Sequence, residues 1–273
     1  MSLDYATLSG PIKLQPPPWK DRIMEHTQTP VNVDDLSTHP LTVLKEIAEK
    51  WNVDMFRFRT YVGSEYGSGW RDIETYHVKA DELFTRGVEI IEEAEADGYD
   101  VAVESAVYLK LGPDATEAEK AFPENRKVVH IPMIDFIVPM AGKEFSSDEA
   151  VTLQQVIDAM AAKDDDEGSF EALTNLSLKD LRFFYSGRSL HAYAVSSLMS
   201  EERWRKFMAE LLIIAPLDLG KDDAKLDLVD SRWVGRRLIQ GSGSLRLTAV
   251  DDNYLQVPVA ATGFKLTEEQ EIV

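Results

Sequence analysis

Apolar residues recur at helical spacing from Leu41 to Trp51, through Val43, Leu44, Ile47 and Ala48, which marks one face of a helix. From Asp54 to Val62 the period drops to two. Met55, Arg57, Arg59 and Tyr61 alternate with Phe56, Phe58, Thr60 and Val62, which predicts a strand with phenylalanines inward and arginines outward. Gly63 to Gly69 reads as a loop, and Ala80 to Ala96 as an amphipathic helix. Two strands follow, Tyr99 to Leu111 and Lys127 to Val138, joined by a polar stretch containing Pro113, Pro123 and Asn125. Ser146 or Ser147, with Glu149 in the first turn, caps a helix running to about Lys163. Leu181 to Ser186 and Ser189 to Ser197 predict a hairpin turning at Gly187-Arg188. Ser200 opens a helix that buries Trp204, Phe207, Met208, Leu211 and Leu212. Leu226 to Ile239 reads as a further helix and Gly243 to Val250 as a last strand.

This alternation contains neither a dinucleotide-binding glycine fingerprint nor a P-loop, so the pattern predicts an α+β fold with a mostly antiparallel sheet. The first 39 residues contain Gln15-Pro16-Pro17-Pro18-Trp19, which favours extended backbone. They read as an N-terminal arm, and residues 40–273 as a single domain.

Charge changes the picture more than size does. Of 273 residues, 29 are basic and 48 acidic, for a net charge of −19. A surface that acidic repels nucleic acid at long range, so a polyanionic partner must meet a local basic patch. The acid gathers at Ile91 to Asp97 and Lys163 to Glu167, which read as a solvated helix face and a helix-ending loop. The absence of cysteine excludes disulfides and thiolate metal sites. No apolar run approaches the roughly 20 residues that span a bilayer, and the N-terminus lacks the basic and apolar regions of a signal peptide. The expectation is a cytoplasmic protein without a membrane partner.

Candidate chemistry concentrates in the last half. Asp135 lies inside Val128-Val129-His130-Ile131-Pro132-Met133-Ile134-Asp135-Phe136-Ile137-Val138, where a carboxylate needs a cation, either an arginine or a metal. Gly187-Arg188-Ser189-Leu190-His191 places hydroxyl, guanidinium and imidazole on one turn. His191 reads either as a phosphate ligand or as a hydrogen-bonded core histidine. Asp230 reads either as a metal ligand or as part of an acidic helix start with Asp222 and Asp227. Arg236, Arg237 and Arg246, beside Gly241-Ser242-Gly243-Ser244, suit phosphate or ion pairs with the abundant acid. Arg57 and Arg59 with their aromatic neighbours form the best basic patch of the N-terminal half, suited to single-stranded nucleic acid. A serine hydrolase finds no Gly-x-Ser-x-Gly elbow. Counting carboxylates does not exclude a glycosidase, but that chemistry leaves the Gly-Arg-Ser-x-His turn unexplained.

Ser189-Leu190-His191 resembles the Ser-x-His motif of archaeo-eukaryotic primase and primase-polymerase proteins. Leu228-Val229-Asp230 resembles their third motif, and Arg237-Leu238-Ile239 with Gly243-Ser244-Leu245 their downstream arginine segment. Ile134-Asp135-Phe136 is the counterpart of their first motif, a pair of acids one residue apart, but Met133 or Ile137 stands where the second acid belongs. Glu104 on the neighbouring strand is a candidate substitute. The resemblance spans Val128 to Leu247 and implies a two-layer catalytic core with an RRM-like sheet and flanking helices. It also implies nucleotidyl transfer dependent on Mg²⁺ or Mn²⁺, with Asp135 and Asp230 as metal ligands. Arg188, Ser189, His191, Arg236, Arg237 and Arg246 would hold phosphate. The implied partners are nucleoside triphosphates, single-stranded DNA or RNA, and a helicase or other replication partner. Two further readings stand beside it: a nucleotide or nucleic-acid binding module without turnover, and an unrelated acidic α+β protein.

Overall fold

The alternation at Asp54 to Val62 has the predicted consequence. In the computed structural model, which describes residues 39–62, 71–139, 151–161, 169–186, 189–214, 216–218, 225–248 and 258–261, strand β1 (Val53–Val62) turns Phe56 and Phe58 into the core. It pairs antiparallel with β2 (Arg71–Lys79) on one side and with β3 (Asp100–Leu109) on the other. The far edge of β3 is shared in succession by β4 (Val128–His130) and β10 (Ser244–Arg246). The register sets one row of Arg59, Ala102 and Arg246 across three strands, and a neighbouring row of Phe58, Val103 and Leu245. Because paired residues share a face and adjacent rows face opposite ways, one side of this sheet is apolar and the other carries cations.

Helix α1 (Pro40–Trp51) packs beside β1, burying Leu41, Leu44 and Ile47, and α2 (Arg86–Ala96) packs beside β3 with Ile90, Ile91 and Ala94 buried. The helix expected from Ala80 begins only at Arg86. Ala80–Glu82 is a single 3₁₀ turn, and Thr85 leaves helical geometry with φ −118° and ψ −83°. Strand β2 has no counterpart in the pattern reading, because Val78 is its one buried residue and no alternation marks a strand so exposed.

The strand expected over Lys127 to Val138 is two strands in two sheets. Pro132 lacks the N–H that a continuous ladder needs, and the chain leaves β4 there to enter β5 (Met133–Asp135). The second sheet runs β11 (Val259–Ala260), β6 (Leu181–Tyr185), β7 (Leu190–Ala194), β5, all antiparallel. The predicted hairpin is β6–β7, its turn residues 187 and 188 lying outside the described residues. A minor pair, β8 (Leu217–Asp218) and β9 (Lys225–Leu226), completes the strands. The architecture is α+β with two antiparallel sheets.

The remaining helices are α3 (Glu117–Ala121), α4 (Leu153–Ala161), α5 (Phe170–Thr174), α6 (Glu201–Glu210) and α7 (Ser231–Gln240). The helix expected from residue 146 or 147 begins only at Leu153, where the Thr152 hydroxyl accepts the Gln155 N–H at 3.2 Å; residues 146 and 147, the 63–69 loop and nearly all of the 1–39 arm lie outside the described residues. Ser200 caps α6 through its hydroxyl, which accepts from Arg203 N–H at 3.3 Å. Trp204, Phe207, Met208 and Leu211 are buried as expected, whereas Leu212, placed on the same stripe, is 47% exposed in the 3₁₀ turn that follows. The helix expected from Leu226 starts at Ser231, because the Asp230 carboxylate accepts the Arg232 N–H at 2.9 Å and caps it there. Gly241, at φ 78°, ends α7 and returns the chain to β10. Among the described residues no helix is long and apolar enough to cross a membrane.

Candidate functional site

A cavity of about 560 Å³ opens between the two sheets beside α7. Its wall draws on Arg59 and Tyr61 from β1, Asp135 from β5, His191 from β7, and Ser244 and Arg246 from β10. Asp230, Arg236 and Arg237 join them from the start and body of α7, so residues dispersed over almost two hundred positions converge. Of the candidate residues, Asp135, Asp230, Ser189, His191, Arg236, Arg237, Arg246 and Arg59 line this space. Arg57 does not, and Arg188 lies outside the described residues.

Sheet register makes the central contact. Asp135 pairs across the ladder with His191, and His191 Nε2 lies 3.6 Å from Asp135 Oδ1. His191 is 3% exposed. Burial, reinforced by the Arg246 charge, holds its pKa well below the ordinary range, so the ring is neutral at pH 7 and carries one N–H donor. Its Nδ1 is buried with no hydrogen-bond partner among the described residues.

Asp135 is 28% exposed, facing the cavity. Burial on its other sides pushes its carboxyl up to about 7. Arg246 and Arg237 pull it down, and Asp230 pushes it further up. Asp135 and Asp230 therefore feel each other as like charges, and the Asp230 N–H also reaches the Asp135 carbonyl at 3.3 Å. A cation between them would relieve that repulsion.

The cations of the wall are not equivalent. Arg237 is largely buried, which lowers its pKa without discharging it. One of its terminal N–H groups donates to Gln240 Oε1 at 2.6 Å, while its Nε finds no partner among the described residues. Arg246 donates to the Ser186 carbonyl at 3.3 Å. Arg59 is clamped by Asp72 at 2.8 Å and by Glu104, and Arg57 reaches Glu104 at 3.2 Å. The two arginines expected to face outward towards nucleic acid thus have their charge matched inside the protein.

Glu104 cannot be the substitute acid of the first motif. Its carboxylate is fully buried between Arg57, Arg59 and the Ser242 hydroxyl, which donates to it at 3.3 Å, and it does not reach the cavity. Met133, one ladder step from Asp135, is buried and offers no oxygen. Among the described residues no three His, Cys, Asp or Glu side chains converge as a ready-made cation cage. Asp135 and Asp230 together still fit one hard divalent ion, since Mg²⁺ is commonly held by one or two carboxylates with phosphate oxygens and water completing its shell. The third carboxylate on the wall, Asp72, is taken by Arg59.

Ser189 has a different occupation from the one expected. Its hydroxyl donates to the Phe136 carbonyl at 2.6 Å, which commits its only proton and leaves none for a phosphate. The Ser186 hydroxyl in turn donates to the Ser189 carbonyl at 3.1 Å. The pair ties the β6–β7 turn to the end of β5 and so holds His191 opposite Asp135. Ser189→Ala should lower thermal stability by about 1 kcal/mol and leave triphosphate affinity within twofold. A melt alongside a nucleotide titration reads both, and a selective loss of nucleotide affinity would return Ser189 to the role of ligand.

Pattern reading passed over Asp72, Arg232 and Gln240, which also line the cavity. Asp72 sits on the unmarked strand β2. Arg232 and Gln240 carry a signal in hindsight, lying four residues either side of Arg236, hence on one face of a helix.

Residues 120–259, just over half of the chain, match the family model AEP-like, archaeo-eukaryotic primase 1D-like. No curated protein and no solved structure matches the chain.

Proposed function

The chain belongs to the archaeo-eukaryotic primase 1D-like family, and from that premise we propose that the cavity binds a nucleoside triphosphate and that the protein transfers its nucleotidyl group to a nucleic-acid strand with the aid of Mg²⁺ or Mn²⁺. The observation that carries this reading is the set of unmet buried polar groups at the site. Arg59 Nε, Arg237 Nε and a ring nitrogen of His191 are buried without partners among the described residues, all on residues lining one cavity that also exposes two neighbouring carboxylates. A buried donor without an acceptor costs on the order of 1–3 kcal/mol. Several around one space call for a ligand rich in oxygen, and the acids beside them call for a cation travelling with it.

In this reading Arg237 and Arg246 offset phosphate charge, and neutral His191 donates one N–H to a phosphate oxygen. Asp135 and Asp230 would hold the divalent ion. When bound, such an ion offsets charge on the α-phosphate oxygens and favours ionisation of the attacking hydroxyl. The strand's terminal hydroxyl loses its proton to solvent water and its oxygen forms the new bond to the α-phosphorus, while the bond to the bridging oxygen breaks and pyrophosphate leaves.

Met133 favours a second reading, because one acid fewer than in the family's paired motif leaves room for nucleotide binding without turnover. Incorporation of labelled nucleotide on a primed single-stranded template, with Mg²⁺ and Mn²⁺ compared, separates the two. Product supports transfer, and triphosphate binding without product supports the binding module. In either case His191→Ala should weaken triphosphate binding about tenfold, the equivalent of one lost hydrogen bond of about 1.4 kcal/mol. Unchanged affinity by calorimetry would remove His191 from the phosphate site.

A further inference from the structure

Most arginines described in this acidic chain have a carboxylate against them. Arg86 meets Glu89 and Glu93, Arg126 meets Asp54, Arg182 meets Glu46, Arg203 meets Glu210, and Arg205 meets Glu201. Helix α7 departs from this pattern. Its sequence, Ser231-Arg232-Trp233-Val234-Gly235-Arg236-Arg237-Leu238-Ile239-Gln240, is the one helix among those described that contains no acid. Trp233 and Val234 anchor it in the core, with the Trp233 indole donating to the Ser244 carbonyl at 3.2 Å.

That anchoring divides the arginines. Arg237 turns inward, whereas Arg232 and Arg236 stand exposed four residues apart with Gln240 beyond them. Arg232, 78% exposed, touches only the capping carboxylate of Asp230, at 3.6 Å. Arg236 makes no ion pair among the described residues. Four residues of helix advance about 6 Å, so two cations and an amide form a ridge one turn apart. All three also line the mouth of the cavity. Ile239, 88% exposed on the same helix, adds apolar surface to the ridge.

We propose that the exposed ridge of α7, Arg232 and Arg236 with Gln240, is the docking track for the phosphodiester backbone of a single-stranded polynucleotide, laid along the mouth of the triphosphate cavity. The proposal rests on the nucleotide reading of that cavity and adds where the strand runs. A net charge of −19 makes a polyanion's approach unfavourable on average, and the alternative patch on β1 is neutralised by Glu104 and Asp72. The ridge supplies two solvent-facing cations, of which Arg236 makes no ion pair among the described residues, at the place where strand and nucleotide must meet. Adjacent arginines then serve different ligands: Arg237 the triphosphate, Arg236 the strand.

The test is fluorescence anisotropy of labelled oligothymidylate and oligouridylate with the full chain over a series of salt concentrations, beside a calorimetric triphosphate titration. Arg232→Gln combined with Arg236→Gln removes two phosphate contacts. The slope of log K against log salt should fall by about 1.4, and affinity at 0.1 M salt by about 25-fold, with triphosphate affinity retained. The stronger binder of the two oligonucleotides identifies the sugar. Unchanged slope and affinity in the double variant overturn the ridge. Equal competition by polyglutamate at matched ionic strength overturns it in favour of an acidic protein partner. Loss of triphosphate affinity in the same variant overturns the division between Arg236 and Arg237. Wild-type protein that binds triphosphate but neither oligonucleotide sinks the track alone, whereas protein that binds no triphosphate sinks the cavity reading beneath it.

Discussion

Asp135→Asn should reduce metal-dependent nucleotide incorporation by about 10³-fold while making the folded protein more stable at pH 8. The first effect follows from removing one of the two neighbouring carboxylates, Asp135 and Asp230, that the described cavity wall offers to a metal. A bound divalent ion supplies several kcal/mol to the transition state, and about 4 kcal/mol is three orders of magnitude in rate. The second follows from burial. The Asp135 carboxyl is pushed from an ordinary value of 3.8 up to about 7 by desolvation, with Asp230 adding to the rise and Arg246 and Arg237 only partly opposing it. Below about pH 4 the group is protonated whether the chain is folded or not, and it costs nothing. As pH rises from there through about 7, the unfolded chain has already released the proton that the folded chain retains, so stability falls, and it is lowest above pH 7. The asparagine has no proton to release. Its melting temperature should exceed that of the wild type at pH 8, and the difference should close towards pH 4. For the same reason, divalent-ion affinity of the wild type should rise through about pH 7, as the carboxylate forms. An asparagine variant with undiminished incorporation would remove Asp135 from the metal site, and a difference in melting temperature that does not vary with pH would show that its carboxyl is not held by burial.

Glu104→Ala should produce the largest loss of stability among single substitutions around the cavity. Its carboxylate, fully buried, faces two guanidinium groups and a serine hydroxyl. Removing one partner of a buried ion pair costs about 3–5 kcal/mol because the remaining charge keeps its desolvation penalty. The low end applies here, since Arg57 and Arg59 are 28% and 15% exposed and water can reach them. At 2–4 °C per kcal/mol for a chain of this size, the melting temperature should drop by roughly 10 °C. Glu104→Gln keeps the shape and the contact with Ser242 but loses the charge, so it should fall between alanine and wild type. A melting temperature within about 2 °C of wild type for the alanine variant would mean that the guanidinium groups find other partners at no cost.

The contrast between these two acids shows what sequence could and could not reveal. Both sit on strands beside apolar residues; the sequence offered Asp135 as a candidate metal ligand, and Glu104 as a substitute for the acid that the family resemblance lacks. What separates them is tertiary: Asp135 pairs in register with His191 at the edge of an open cavity, whereas Glu104 meets two arginines from the neighbouring strand. Alternation of apolar and polar residues located β1, which has one face in the core, whereas β3 and β7, buried at almost every position, were legible as short apolar runs bounded by polar or glycine-containing segments. It missed β2, where nearly every residue is exposed and no period exists to read. It also ran β4 and β5 together, since the run is apolar apart from His130 and Asp135 and only Pro132 marks the point where the chain changes sheets. The Ser-x-His and arginine segments were legible as motifs, but their division of labour was not. Ser189 spends its proton on a backbone carbonyl, and adjacent Arg236 and Arg237 differ only in which side of α7 they occupy.

The pairing of β10 with β3 bears on how this chain can be cut. The family-matched region begins at residue 120, yet β10 within it is hydrogen-bonded to a strand that ends at Leu109, and the row that carries Arg246 is completed by Ala102 and Arg59. A fragment trimmed to the matched region would keep both candidate metal ligands and the His191 motif. It would leave β4 and β10 with bare edges, expose the apolar side of Leu245, and open the cavity along the wall that Arg59 and Tyr61 close. The unit of inheritance recognisable in the sequence is therefore smaller than the unit that can work, and residues 53–109 are as much a part of the site as the motifs that announce it.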